Sequence, residues 1–251
     1  MENVEFILAE FGEERINNGG ASFGELTLVD PTYATFKKYF PDAKFTLYTD
    51  KIRDNLSDNI SQIIVEPPFE RAHHRWGNRC NDYYKVYGLL NSEADVSIAM
   101  DSDMYAFSEE VKTLPYITKN FGMCVPANPR MQVRRDGMIG MDANYELHED
   151  ESRGNAACVN MSPLSVSKIG RISSFRPLLE SYLNIMLHAP VRGPLAMWRA
   201  MWCTGLSPLV LPYQWCLCGS GREDPAKILN DSGNEIVLHV GHPEVARRYK
   251  V

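Results

Sequence analysis

A short apolar run at residues 96–100, Val-Ser-Ile-Ala-Met, ends on two aspartates one residue apart, Asp101 and Asp103. The run reads as a strand, and a strand end holds side chains rigidly at the margin of a sheet, where ligand crevices form. Two carboxylates fixed at such a place repel each other unless a cation sits between them. The hard oxygen donors of an Asp-x-Asp pair suit Mg²⁺ or Mn²⁺ carrying the phosphates of a bound nucleotide. The chain is therefore expected to bring a sheet margin, an acidic pair and a nucleoside diphosphate to one place.

The residues leading to that pair alternate between strand-like and helix-like patterns, which predicts an α/β architecture. Residues 4–8 form the first expected strand, and a Gly/Asn-rich stretch at 17–22 separates it from the next element. A helical pattern starts at Pro31, runs through Phe36, Tyr39 and Phe40, and closes at Pro41-Asp42. Residues 44–49 alternate into a second strand ending at Asp50, and 62–65 make a short third before Pro67-Pro68. In 79–91, Tyr83, Val86, Tyr87 and Leu90 fall at helical spacing, and 95–100 is the strand that delivers the aspartates. This order reads as one nucleotide-binding half of an open sheet.

Beyond the pair, 122–125 and 156–161 read as strands on either side of a polar, loop-like stretch at 127–153, acidic at 146–151. Residues 174–187 form the clearest helix, with Phe175, Leu178, Leu179, Tyr182 and Leu183 as its apolar stripe. A Met- and Trp-rich helix is expected at 194–202, a strand or apolar loop at 209–215, and a strand at 235–240 carrying His239. No repeat, low-complexity segment or clean linker appears, so one domain is expected.

At 251 residues the chain can bury a sizeable core. Its formal net charge of -6 argues against a protein built mainly to neutralise nucleic-acid phosphate. Among the cysteines Cys80, Cys124, Cys158, Cys203, Cys216 and Cys218, the last two are close in sequence. A Cys-x-Cys without a second cluster is a poor zinc signature, and reduced, buried thiols are expected. With no secretory peptide and no run of about 18 apolar residues, a cytoplasmic protein is expected, at most peripheral to a membrane.

Four segments resemble the nucleotide-sugar-dependent glycosyltransferases of the GT-A fold. Arg79-x-Asn81-Asp82-x-x-Lys85 looks like the helix those enzymes lay against the nucleotide, and 94–104 looks like their metal-binding strand end. Gly154-Asn155-Ala156-Ala157-Cys158-Val159-Asn160-Met161 is similar to the Asn-Ala-Gly strand that lines their donor-sugar pocket, with Ala157 where Gly is frequent. Leu238-His239-Val240-Gly241 resembles the late segment whose histidine is a third metal ligand, with one residue rather than two before the glycine.

The resemblance implies a single GT-A-like domain over 1–251: an open mixed sheet with helices on both faces, a Rossmann-like nucleotide-binding half at 1–105, and a donor-sugar and acceptor half at 106–251. It implies Mn²⁺ or Mg²⁺ held by Asp101, Asp103 and His239, with Asp103 as the direct ligand and His242 as a second choice for the third position. Asp101, Asp103 and Asn155 carry the implied catalytic roles. Ala9, Glu10, Asp50, Arg79, Asp82, Lys85, Asp101 and Ser102 carry nucleotide-sugar binding, with Lys85 and Arg79 as cations beside the diphosphate. A UDP-sugar is the favoured donor, and an acceptor glycan, a lipid-linked sugar or a modified nucleic-acid base is compatible with the same site.

An inverting enzyme needs a carboxylate base near the acceptor. The stretch 189–195, where many inverting members of the fold carry one, contains none, so retention is expected. Asp142, Glu146, Glu149 and Asp150 are the alternative bases should the polar loop cover the acceptor. His73 and His74 are adjacent, and neighbours in sequence do not share a helix face, so they make a poor metal pair. Trp198, Trp202 and Trp215 are read as core aromatics or as stacking surfaces for an acceptor. Arg134, Arg135 and the terminal Arg247, Arg248 and Lys250 are solvated charges or contacts to a phosphate-bearing acceptor.

Three rivals remain. A sugar nucleotidyltransferase needs a Gly-rich loop with Arg and Lys after the first strand, whereas 9–24 offers Gly19, Gly20 and Gly24 without that basic pattern. An aspartate-nucleophile phosphatase has an apolar residue and Thr after its Asp-x-Asp, and here Met104-Tyr105 comes next. A non-catalytic nucleotide- or carbohydrate-binding module of the same fold is the non-enzyme alternative.

Overall fold

Every residue of the first strand, β1 (Val4–Glu10), is buried, which requires cover on both sides of the sheet. Phe6 and Leu8 enter one core with Phe36, Phe45 and Ile98, while Ile7 and Ala9 enter a second with Tyr84, Leu89 and Leu179. The structure is a computed structural model and describes residues 3–12, 29–54, 56–71, 76–127, 159–189, 191, 193–218 and 236–239.

From β1 the chain passes through α1 (Val29–Tyr39) to β2 (Lys44–Thr49) and β3 (Ile60–Ile64), then through α2 (Trp76–Asn91) to β4 (Val96–Ala99). Next come β5 (Met104–Ala106), a 3-10 turn (Glu109–Thr113), α3 (Leu114–Phe121) and β6 (Met123–Pro126). β7 (Leu164–Ser167), a π turn (Gly170–Ser174), α4 (Arg176–His188) and α5 (Gly193–Thr204) lead to β8 (Leu209–Leu211). A 3-10 turn (Tyr213–Cys216), β9 (Leu217–Cys218) and β10 (Val237–His239) complete the described elements.

Seven strands form one mixed sheet in the order β3-β2-β1-β4-β7-β6-β8. The four strands β3, β2, β1 and β4 are parallel, β7 is antiparallel to both β4 and β6, and β8 is parallel to β6. Helices α2, α4 and α5 cover one face, and α1 and α3 the other. The α/β reading, with an open mixed sheet between helical layers, is thus what the chain adopts. β5, β10 and β9 make a separate three-stranded sheet.

The first four strands and four of the helices lie within a few residues of their expected positions. Four of the described strands and helices, β5, α3, β7 and β9, have no counterpart in the sequence pattern. The expected strand at 156–161 lies partly outside the described residues, and Val159 makes an isolated bridge to Ala127. The stretch 209–215 is a three-residue strand and then a turn. Among the described residues no helix is long and apolar enough to cross a membrane.

At the sheet margin where β1 begins, polar residues are buried as a network. Glu5, 6% exposed, accepts hydrogen bonds from Thr46 Oγ1 at 2.6 Å and from Ser92 Oγ, and pairs with Lys44 Nζ at 2.9 Å. Burial alone would raise the Glu5 pKa, but the hydrogen bonds from Ser92, Thr46 and Lys44 outweigh it and hold the carboxyl below its ordinary value. A depressed folded-state pKa adds stability above the unfolded pKa, and that stability is lost as pH falls through the folded value. Glu5→Gln is expected to cost about 1–2 kcal/mol at pH 7 in urea unfolding, with the gap closing in acid below the carboxylate range. A gap that stays constant from neutral pH into acid contradicts this account.

Candidate active site at the sheet switch point

β1 has β2 on one side and β4 on the other, so the direction of travel across the sheet reverses between β1 and β4. In open α/β sheets the crevice beyond the carboxyl ends of such strands is where ligands bind. Asp101 leaves β4 at that point, just after Met100, whose N–H still donates to Ile7 O at 2.9 Å.

The loop carrying the acidic pair is pinned through its middle residue. Ser102 is fully buried; its Oγ donates to Glu10 Oε2 at 2.5 Å, and its carbonyl accepts from Thr32 Oγ1 at 2.6 Å. Glu10 at the end of β1 and Thr32 on α1 therefore fix the loop from two elements. Their contacts leave the flanking aspartates to define the site.

The third member arrives from the far end of the chain. β10 pairs antiparallel with β5 and sets His239 opposite Met104, the residue after Asp103. His239 Nε2 lies 3.0 Å from Asp103 Oδ1 and 3.6 Å from Asp101 Oδ2. One ligand atom from each of the three residues falls within 4.8 Å of the others. An octahedral cation about 2.1 Å from its donors places neighbouring donors about 3 Å apart, so the His239–Asp103 edge already has the right length. Two carboxylates and one imidazole form a donor set suited to Mg²⁺ or Mn²⁺. The expected ligand trio is assembled as a cluster that fits such an ion.

Lys85, 2% exposed, reaches the same group from α2: its Nζ lies 2.6 Å from Asp101 Oδ1, 3.5 Å from Asp82 Oδ1 and 3.3 Å from Ser162 Oγ. A buried ammonium requires partners of this kind. Asp82 also accepts the backbone N–H of Gly193 at 3.0 Å, which caps the start of α5. A Cβ at Gly193 would stand 2.9 Å from both the Asp82 carboxyl carbon and Tyr182 Oη, so glycine permits this approach.

Other expected site residues are used differently. Ala9, 1% exposed, packs its side chain into the core. Arg79 donates to the carbonyls of Met186 and Ala189 at the end of α4, and its guanidinium lies over the Phe69 ring. The structure thus gives Arg79 a bracing role. Asp50 accepts from the Gly12 N–H and from Arg53, each at 3.2 Å, and lies 3.7 Å from Arg71, bracing the turn after β1. Trp215 is buried in the core that holds Phe6, Trp198 is half-buried against the core that holds Ile7, and Trp202 is 64% exposed on α5. Asn155, His73, His74, Arg134, Arg135, Asp142, Glu146, Glu149, Asp150, His242, Arg247, Arg248 and Lys250 lie outside the described residues.

Two residues outside the expected set border the cluster. Cys216 Sγ lies 3.7 Å from His239 Nδ1, and Asn160 Nδ2 donates to the same sulfur at 3.0 Å. Asn160 lies at the end of the stretch expected to line a donor pocket. Only the Cys-x-Cys spacing hints at Cys216.

No protein-family model matches the sequence, and neither does any curated protein sequence. Solved structures do match in shape. The galactosyltransferase LgtC, in complex with donor and acceptor sugar analogues, superposes with a TM-score of 0.58 at 11% identity, covering 94% of this chain and 86% of LgtC. The chain shares its fold with that enzyme. An active-site mutant of LgtC gives 0.55 at 11% identity with the same coverage. The bifunctional glycosyltransferase WbbM, in its apo form, gives 0.56 at 12% identity over 95% of this chain. This chain spans 45% of WbbM's length.

Proposed function

We propose that the protein is a metal-dependent glycosyltransferase that moves a sugar from a nucleoside-diphosphate donor, with UDP favoured, to an acceptor hydroxyl with retention. The observation that carries this reading is the convergence of Asp101, Asp103 and His239 at the switch point of a fold shared with sugar-transferring enzymes. Asp101, Asp103 and His239 would hold Mn²⁺ or Mg²⁺, which offsets the negative charge that gathers on a departing diphosphate.

The chain's own residues supply the rest. Lys85 holds a fixed positive charge 2.6 Å from Asp101, so it adds to the field at the diphosphate without reorganisation during reaction. Ser102 and Glu10 keep the acidic loop rigid, which preserves the alignment of donor and acceptor. The stretch 189–195 carries no carboxylate of its own. The carboxylate brought there, Asp82, already binds the Gly193 N–H and lies beside Lys85, which suits an anchor better than a base. These features support same-face transfer through an oxocarbenium-like transition state. A sugar acceptor is the favoured class, because the neighbouring LgtC holds an acceptor sugar analogue.

Thermal unfolding with UDP, GDP and ADP, with and without Mn²⁺, tests the donor site. A nucleotide at about a hundred times its Kd is expected to raise Tm by about 5–10 °C in the presence of Mn²⁺ and by much less without it. Indifference to all three nucleotides sinks the proposal. Mn²⁺-dependent release of free sugar from the matching nucleotide sugar then separates an enzyme from a binding module.

A further inference from the structure

The imidazole of His239 has two nitrogens, and the proposed metal site uses one. For Nε2 to serve as a metal ligand, Nδ1 must carry the proton and find an acceptor, because the group on the second nitrogen sets which tautomer a histidine presents. The atom facing Nδ1 is the sulfur of Cys216, at 3.7 Å.

That sulfur is itself held in place. Cys216 ends a 3-10 turn, is 2% exposed, and sits directly before β9, which pairs in parallel with the strand carrying His239. Asn160, 7% exposed, donates its Nδ2 proton to Sγ at 3.0 Å. An amide N–H pointed at the sulfur marks Sγ as an acceptor, and thiol sulfur has diffuse lone pairs able to accept a second, longer contact. Backbone bonds tie the turn to β10 as well, with Ile236 N–H donating to Gln214 O at 3.0 Å.

We infer that Cys216, oriented by Asn160, is the positioning residue that accepts the Nδ1 proton of His239 and so keeps Nε2 turned toward Asp101 and Asp103 for a divalent cation. This inference rests on the proposed metal site. The order Cys216, His239, Asp103 also traces a thiol–imidazole–carboxylate relay. A nucleophile must reach a substrate, however, and this sulfur is buried and already accepts the Asn160 N–H. A positioning role needs no access.

Three variants separate hydrogen bonding from packing. Cys216→Ser keeps an acceptor in a smaller side chain, Cys216→Val fills the space without an acceptor, and Cys216→Ala removes both. Mn²⁺ affinity is read directly, from the free-Mn²⁺ electron paramagnetic resonance signal of the protein without nucleotide, alongside Tm. Loss of a group that orients a metal ligand weakens metal binding by about 10–100-fold, which is the expectation for Val and Ala. Ser is expected to bind Mn²⁺ more tightly than either. Cys216→Val binding as tightly as the wild type, or Ser binding as weakly as Ala while Tm stays near the wild-type value, overturns the inference and leaves the metal site standing. Wild-type protein that binds no Mn²⁺ overturns the metal site, and the positioning role with it.

Discussion

Asp103→Asn is expected to lower metal-dependent sugar transfer by about 10³-fold while leaving the protein folded. Asp103 is 6% exposed and 3.0 Å from His239 Nε2. Asparagine keeps the shape and removes the charge, so packing around the loop is retained. Asp101 lies in the same cluster, and two neighbouring carboxylates repel, so removing one relieves strain instead of adding it. Tm is therefore expected to hold or rise as activity falls, the usual opposition between stability and a charged functional site. Transfer rates at saturating Mn²⁺ and thermal unfolding on the same samples check both halves. Activity within tenfold of the wild type would remove Asp103 from the reaction and with it the proposed role of the cation.

Much of this site is legible in the sequence because its central parts are local. The strand–Asp-x-Asp junction needs only the eight residues 96–103, and Lys85 sits on the helix immediately before it. His239 is visible through resemblance alone, since it pairs with β5 across more than a hundred residues of sequence. Nothing local to Cys216 or Asn160 points to His239, and their meaning depends on the turn that brings the sulfur to 3.7 Å from Nδ1. β7 is hidden for a different reason. Its Leu164 and Val166 alternate with Ser165 and Ser167 over four residues only, too short a run to stand out, and all four are buried. The serines are satisfied by tertiary partners, Thr118 Oγ1 at 2.7 Å for Ser165 and Gly122 O at 3.3 Å for Ser167. Arg79 has partners that its own stretch of sequence does not announce. One helical turn and a half before Lys85 it serves the last carbonyls of α4, a demand set by helix packing and invisible in its own neighbourhood.

Lys85→Met should separate the two positive charges that the site can offer Asp101. Lys85 Nζ is a cation 2.6 Å from that carboxylate, with Asp82 at 3.5 Å, and the side chain is 2% exposed. Removing one partner of a buried ion pair costs about 3–5 kcal/mol, because the other charge stays behind in a poor solvent. For a chain of this size that lowers Tm on the order of 10 °C. A divalent ion at Asp101, Asp103 and His239 would then replace the missing charge, so Mn²⁺ should raise the Tm of the variant by more than it raises the wild type's and bind it more tightly. Transfer should nonetheless slow by about 10²-fold, since the fixed cation beside the departing diphosphate is gone. Metal affinity and turnover are thus expected to move in opposite directions, an outcome that lost packing alone does not produce. Equal Mn²⁺ responses in variant and wild type would mean that Lys85 and the ion do not share Asp101, and the cation would have to bind elsewhere.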